Sequence, residues 1–390
     1  MNKILKLTFK VVLCLIDVLL LFNKRGSKNT KSVLIIRLDA IGDFILWLDS
    51  AQHFRKIYPN KKIVLLGNQA WTDLAKKLPY WDDVWPLDRF KFYRNPLYRF
   101  HLLRKVRKTS FDVVIQTTYS REFLYGEAIV RISGAREKIG SIGDCSNIRA
   151  IEKKISDRFY TQLIPANPKP FMELKRNAEF MCGLGISMKA GLPDLSLAIK
   201  GVDNPLDNVN GYYILFPGAG WSGRQWPITR FAALSDKIYR RCGLAAVFCG
   251  SPDEQGLAES LISQIDVPSI HMTGTTNLDE LAVIIKGASF LVGNETSAIH
   301  FAAAVSTPSC CILGGGHYGR FMPYDIDSKT EKPLPVPIIH KMDCFGCNWR
   351  CRYFVEDGKP VPCIEKISVE EVFAALQPLI KKRHQLGSVR

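Results

Sequence analysis

A rhythm in the chain constrains its fold more than any single residue does. Short runs of apolar, β-rich residues, SVLIIRL (32–38), KKIVLLG (61–67) and FDVVIQT (111–117), are each trailed by a stretch with helical periodicity, the first at Phe44–Tyr58. The pattern restarts with GYYILFP (211–217) and continues through LAAVFCG (244–250), SFLVGN (289–294) and SCCILGG (309–315), with helices expected near 228–241, 278–286 and 297–304. Strands that are apolar at successive positions are buried on both faces, and alternation with helices gives βαβ units and parallel sheets. The 390 residues suffice for two or three domains. Two α/β domains in tandem with a cleft between them are the expected architecture, joined by a linker at 196–210, which is rich in Asn, Asp, Gly and Pro. Ligands of such sheets bind outside the carboxyl ends of the strands, so the loops there are where chemistry is sought.

Composition excludes two classes. With 47% hydrophobic and 23% charged residues the chain is neither disordered nor a polytopic membrane protein. Its formal charge is +16, and that charge is localised. Residues 1–31 hold seven Lys/Arg and one acid, and residues 89–108 hold eight Lys/Arg and no acid, so these 51 residues carry +14. In the first segment only Val11–Phe22 is continuously apolar apart from Asp17, shorter than the ~20 residues of a spanning helix. A helix lying in a membrane interface fits it, with a spanning anchor or an ordinary soluble helix as alternatives. The second segment interleaves its cations with Phe90, Phe92, Tyr93, Tyr98 and Phe100, which suits an anionic membrane surface with a phosphorylated substrate or single-stranded nucleic acid, the latter without any accompanying signature.

Three local patterns could carry chemistry. Gly218-Ala-Gly220-Trp-Ser-Gly223 follows a strand with G-x-G-x-x-G spacing, but Pro227 delays the next helix to about Ile228, unlike a nicotinamide-binding unit. It reads as a phosphate-facing loop of another kind or as a plain turn. In Gly293-Asn294-Glu295-Thr296-Ser297-Ala298-Ile299-His300 a buried strand meets a helix, with Thr296 or Ser297 as cap and free N–H groups suited to phosphate, or simply a well-capped packing helix. Gly42-Asp43 stands at a strand-to-helix turn, where Asp43 is either a general base or a carboxylate complementing the helix dipole. Asp325-Ile-Asp327 has D-x-D form but sits in a Pro-rich loop. Eleven scattered cysteines do not form a secreted disulfide framework and point to a reducing compartment. Four of them, Cys344, Cys347, Cys351 and Cys363, have the spacing of a structural zinc or iron–sulfur site, or else are packed thiols.

Taken together, VLIIRLDAIGDFILWLDSAQHFRKIYP, LFPGAGWSGRQWPITRFAALSDKI, LVGNETSAIHFAAAVSTPSCCILGG and the tail CFGCNWRCRYFVEDGKPVPCIEKISVEEVFAAL resemble glycosyltransferase family 9, the bacterial lipopolysaccharide heptosyltransferases and their relatives. The resemblance implies a GT-B fold: an acceptor-binding Rossmann-like domain (32–195), a nucleotide-sugar-binding one (211–367), and a C-terminal helix (368–390) crossing back; segment 1–31, expected from its own residues to be membrane-interfacial, stands before them. It implies an inverting transfer, from ADP-heptose to a lipopolysaccharide-type acceptor, at the cytoplasmic face of the cell membrane, with no cofactor required. Asp43 matches the family's base. Gly218, Gly220, Arg224 (where a lysine is usual), Glu295 (where Asp is usual), Thr296, Ser297, Ala298 and His300 match its donor-binding segments. Gly42, Arg94 and Arg99 are the acceptor-side candidates. The alternative functions are a nucleic-acid-binding protein using 89–108 and a catalytically silent nucleotide-sugar binder.

Overall fold

The computed structural model describes residues 3–22, 29–326 and 330–387. The chain divides into two units, one of Met1–Lys169 and Lys175–Ala190, the other of Pro170–Leu174 and Gly191–Arg390. The division falls after Ala190 and not at 196–210. Ala198, Ile199 and Leu206 are buried in the second unit, so the Asn/Asp/Gly/Pro-rich stretch is a packed loop with turn chemistry, not a tether.

The first unit is built on a six-stranded parallel sheet of β1 (Asn29–Arg37), β2 (Lys62–Asn68), β3 (Asp83–Leu87), β4 (Phe111–Gln116), β5 (Glu137–Ser141) and β6 (Gln162–Ile164), in the order β3-β2-β1-β4-β5-β6. The central strands are the most apolar: Val33 to Ile36 of β1 and Val113 to Ile115 of β4 are fully buried. Burying four aliphatic side chains such as those of β1 is worth ~6–12 kcal/mol before the entropy of ordering them. The helix after β1 runs Ile41–Ala51 and stops at Gln52 and His53, with a separate turn at Phe54–Ile57. It therefore begins before the expected Phe44, and Gly42 and Asp43 lie in its first turn.

The second unit repeats the wiring. Strands β7 (Tyr212–Phe216), β8 (Ala245–Phe248), β9 (Ser269–His271), β10 (Leu291–Asn294), β11 (Ser309–Ile312) and β12 (Val336–Ile338) form a parallel sheet ordered β12-β11-β10-β7-β8-β9. Pro227, unable to donate an N–H, sits at the cap of helix Ile228–Cys242, where the sequence placed its start. The last helix, Val369–Gly387, packs on Ile228–Cys242 and buries Val372, Leu376 and Ile380 in this unit's core.

Each sheet reverses its strand order once, between β1 and β4 in the first and between β7 and β10 in the second. Outside the carboxyl ends of the strands, these reversals are where such sheets open a crevice.

Candidate functional site

At the first crevice the loop Leu38–Ala40 is held from several sides. Arg37 ends β1 fully buried, with its Nε 2.8 Å from Asp39 Oδ2. It donates from Nη2 to the Asp43 carbonyl at 3.3 Å and from Nη1 to Asn177 Oδ1 at 3.2 Å. Thr118, just past β4, donates to Asp39 Oδ1 at 3.1 Å and so bridges the reversal. Asn68 and Trp71 both donate to the Asp39 carbonyl at 3.0 Å. Arg89 grips Glu122 with two bonds of 2.8 and 3.0 Å and donates to the Leu38 carbonyl at 2.9 Å. Asp43, half-buried in the first helical turn, thus stands on a backbone locked by charge-assisted bonds. Arg37, Asp39 and Thr118 escape sequence reasoning. Their one signal is a charged pair interrupting an apolar strand, and Thr118 joins them only through the sheet order. A small cavity at the ends of β4, β5 and β6, lined by Thr117, Tyr119, Ser141, Arg176 and Glu179, adds a second polar feature. There Arg176 lies 4.0 Å above the Tyr119 ring and bonds Glu179 at 2.7 Å.

The acceptor-side arginines need correction. Arg99 is completely buried, donating to both oxygens of Asp17 at 2.8 and 2.7 Å and to the Leu124 carbonyl at 2.7 Å. It anchors the N-terminal helix, since a charge this deep persists only with full hydrogen bonding. Arg94 is exposed, its guanidinium 5.6 Å from the Phe90 ring. Of the aromatics in 89–108 only Phe90 is exposed, while Phe92 is in the core and Tyr93 packs against Phe9 and Tyr125. A stacking platform for bases needs exposed ring faces, so the segment does not offer one.

At the second crevice the two motifs meet, as their places after β7 and β10 require. Asn294 donates to the Pro217 carbonyl at 2.6 Å and accepts from Trp226 N–H at 3.0 Å, tying the glycine loop to the end of β10. Arg224 Nη2 donates to the Glu295 carbonyl at 2.5 Å and lies 3.4 Å from its carboxylate. Burial pushes the Glu295 carboxyl up to about 7, against the opposing pull of Arg224. Thr296 sits at the cap of helix Ser297–Ala304, yet its hydroxyl makes no capping bond. Three buried atoms of this cluster, Arg224 Nε, Glu295 Oε1 and Thr296 Oγ1, have no hydrogen-bond partner among the described residues. Buried polar atoms are almost always paired, so three together mark a place built for polar company. Ala298 is buried and Ser297 half-buried beside the helix's first N–H groups.

His300 plays a different part. It is buried, 2.9 Å from the Tyr324 hydroxyl and stacked on that ring, and burial, aided by Arg224, pushes its imidazole down to about 3. A neutral histidine supplies no cation for an anion and serves to pack beneath the helix start. Gly218 is close-packed: a Cβ there would stand 1.8 Å from Glu254 Oε1, whereas at Gly220 it would meet nothing. Glu254, fixed by a 2.7 Å bond from Ser251 N–H, is thus the acid that the loop after β8 brings to the glycine loop.

Cys344, Cys347, Cys351 and Cys363 line a single cavity. All eleven cysteines are free thiols, and among the described residues no three His, Cys, Asp or Glu are arranged to hold a metal ion. The Cys363 sulfur instead accepts the Gly315 N–H at 3.4 Å. Of the two readings that their spacing left open, a zinc or iron–sulfur site and packed thiols, the described geometry forms no ion-holding set, and the four sulfurs line one cavity as thiols. Their loop carries Asn348 and Trp349 in left-handed conformation, with φ of 52° and 60°. The Trp349 ring lies 4.9 Å from the Arg224 guanidinium and 6.1 Å from Trp221, making it a site residue that spacing alone hides. Asp327 of the D-x-D lies outside the described residues.

Two doubly wound sheets, each with its polar cluster at the order reversal, define an α/β protein of the GT-B type. The model of glycosyltransferase family 9 (heptosyltransferase) matches residues 99–331, and the chain belongs to that family and is a glycosyltransferase. Among curated relatives, lipopolysaccharide heptosyltransferase 3 of Escherichia coli is 22% identical over 294 residues, covering 73% of this chain and 83% of its own. Lipopolysaccharide core heptosyltransferase OpsX of Haemophilus influenzae is 22% identical over 309 residues, covering 77% and 83%. Among solved structures, E. coli ADP-heptose lipopolysaccharide heptosyltransferase II superposes with a TM-score of 0.65 at 16% identity over 90% of this chain and 99% of that one. The iron-containing heptosyltransferase TibC gives 0.55 at 13% identity over 92% and 78%. At these identities the structures attest the fold alone.

Proposed function

We propose that this chain is an inverting glycosyltransferase that moves heptose from ADP-heptose to a phosphorylated saccharide of the lipopolysaccharide core. The observation that carries the reading is the trio of unpartnered buried atoms on Arg224, Glu295 and Thr296 at the second crevice. An arginine fork, a hydroxyl and a helix start suit a diphosphate, and a carboxyl with its pKa near 7 can donate a proton to a phosphate oxygen instead of repelling it. Glu254 beside Gly218 has the position in which doubly wound sheets hold a ribose hydroxyl. The relatives named above as lipopolysaccharide heptosyltransferases, and a structural neighbour named for ADP-heptose, support donor and acceptor class.

In this reading an acceptor hydroxyl attacks the anomeric carbon and gives its proton to Asp43. The bond from that carbon to the phosphate oxygen breaks, and ADP leaves with the electron pair. Arg224 and the N–H groups at Ser297 and Ala298 stabilise the charge that develops on the leaving diphosphate. Base and stabilised leaving group balance the reaction. The eleven free thiols agree with a cytoplasmic location, where cysteines stay reduced.

The test is Asp43→Asn. Transfer should fall at least ~10²-fold, the order of a lost general base, while ADP still raises the thermal midpoint as it does in the wild type. Turnover at wild-type rate would remove Asp43 from the mechanism. Stabilisation by UDP- or GDP-sugars in place of ADP-sugars would remove the donor assignment.

A further inference from the structure

The N-terminal helix (Lys3–Leu21) is amphipathic in the reverse sense. Its inward side holds Leu13, Asp17 and Leu20, all buried. Asp17 takes two bonds from Arg99 and one of 3.4 Å from Arg131, Leu20 belongs to the first unit's core, and Arg107 donates to the Leu21 carbonyl. Lys10 pairs with Glu152 nearer the start, and the Phe9 ring meets Tyr93 edge-on at 5.5 Å. The opposite side presents Val11, Val12, Leu15, Val18, Leu19 and Phe22, with exposures of 50, 41, 57, 48, 66 and 83%. These positions follow one another at helical spacing, and no polar residue interrupts them. A helix on a water-exposed surface turns its acids out and keeps its aliphatics in; this one buries its acid beside Leu13 and Leu20 and leaves a second aliphatic face outward.

We infer that this face is seated in an anionic lipid bilayer, the helix lying in the interface plane with its apolar stripe among the acyl chains. Among the described residues no helix is long and apolar enough to cross a membrane. The surroundings choose the occupant. The helix packs against Pro96–Thr109, which with the preceding helix Arg89–Arg94 exposes Lys91, Arg94, Arg104, Lys105 and Lys108. Five exposed cations on the helices beside the apolar stripe complement anionic headgroups, each worth about fivefold in binding near such a surface, whereas a second copy would bring the same positive charge against them. The inference adds a lipid surface to the transferase reading and depends on that reading only for the acceptor.

The experiment is co-sedimentation of the full chain with phosphatidylcholine vesicles, with and without phosphatidylglycerol. Wild type should bind the anionic vesicles, less so as salt rises. Leu15→Glu with Leu19→Glu should bind at least about a hundredfold more weakly, roughly tenfold or more for each leucine kept in water. Both side chains face solvent, so the variant's thermal midpoint should match wild type. Equal vesicle binding by variant and wild type overturns the proposal, as does equal binding to vesicles lacking phosphatidylglycerol. A lipid-free wild-type dimer that the variant converts to monomer, with no vesicle binding by either, overturns it in favour of a second copy. Transfer to a delipidated saccharide acceptor, assayed alongside, should be unchanged in the variant. Its absence in both proteins, with vesicle binding intact, would count against the transferase reading alone and leave the membrane seat standing.

Discussion

Asp17→Asn isolates the ion pair that docks the N-terminal helix. The asparagine keeps the shape of the side chain and removes its charge, leaving the fully buried Arg99 without a counter-ion and Arg131 without its nearest carboxylate. Burial already holds the Arg131 guanidinium below its usual range, with Asp17 the leading opposing influence. Removing one partner of a buried pair costs about 3–5 kcal/mol, since the remaining charge stays desolvated. At ~2–4 °C per kcal/mol for a unit of this size, thermal unfolding of the first unit should move down by ~6–20 °C. Asp17→Leu with Arg99→Met removes both charges and should recover most of that loss, because apolar groups of similar volume replace a buried pair at little cost. Differential scanning calorimetry of the three proteins decides the matter. A shift under ~2 °C in Asp17→Asn, or a double variant no better than the single, would refute the argument that charge at Asp17 holds the helix.

Two further outcomes follow from the second crevice. Gly218→Ala places a methyl where Glu254 Oε1 now stands, so Glu254 must swing aside; donor KM should rise while kcat changes less, and equal kinetics would show that Glu254 does not touch the donor. Glu295, with a folded-state pKa of about 7 above its ordinary 4.5, binds its proton more tightly in the native state. Its contribution to stability is fully present below pH ~4.5 and lost as the pH rises through 7, on the order of 3 kcal/mol. The thermal midpoint of wild type should therefore fall relative to Glu295→Gln between pH 5 and 8, and parallel curves would show a carboxyl ionised throughout.

The interior strands were legible because they are buried on both faces, and β1, β2, β4, β7, β8, β10 and β11 all coincide with apolar runs. The other strands, DVWPL of β3, EKIGS of β5, QLI of β6, SIH of β9 and VPI of β12, were not. All but β5 are the edge strands of their sheets, short, half-exposed or Pro-bearing, and β5 lies next to an edge; such strands leave little hydrophobic signature. Asp43, Arg224, Glu295 and Thr296 were legible as residues after strands. Asp39 with Thr118, and Trp349 beneath Arg224, were not, because strand order and a left-handed loop create those meetings. Arg99 was misread for a simple reason: a run of cations does not say which of them its helix turns inward.

The docking of the N-terminal helix also sets an order of events. Asp17 and Arg99 are 82 residues apart in sequence. At ~5–20 residues per second of synthesis, the helix waits ~4–16 s before its guanidinium partner is made, and longer for Arg131. Throughout that interval it is an apolar helix with neither of its two surfaces covered. On the membrane seating proposed above, a nearby bilayer is the first partner that the helix can meet, and binding there would begin before the first sheet has closed.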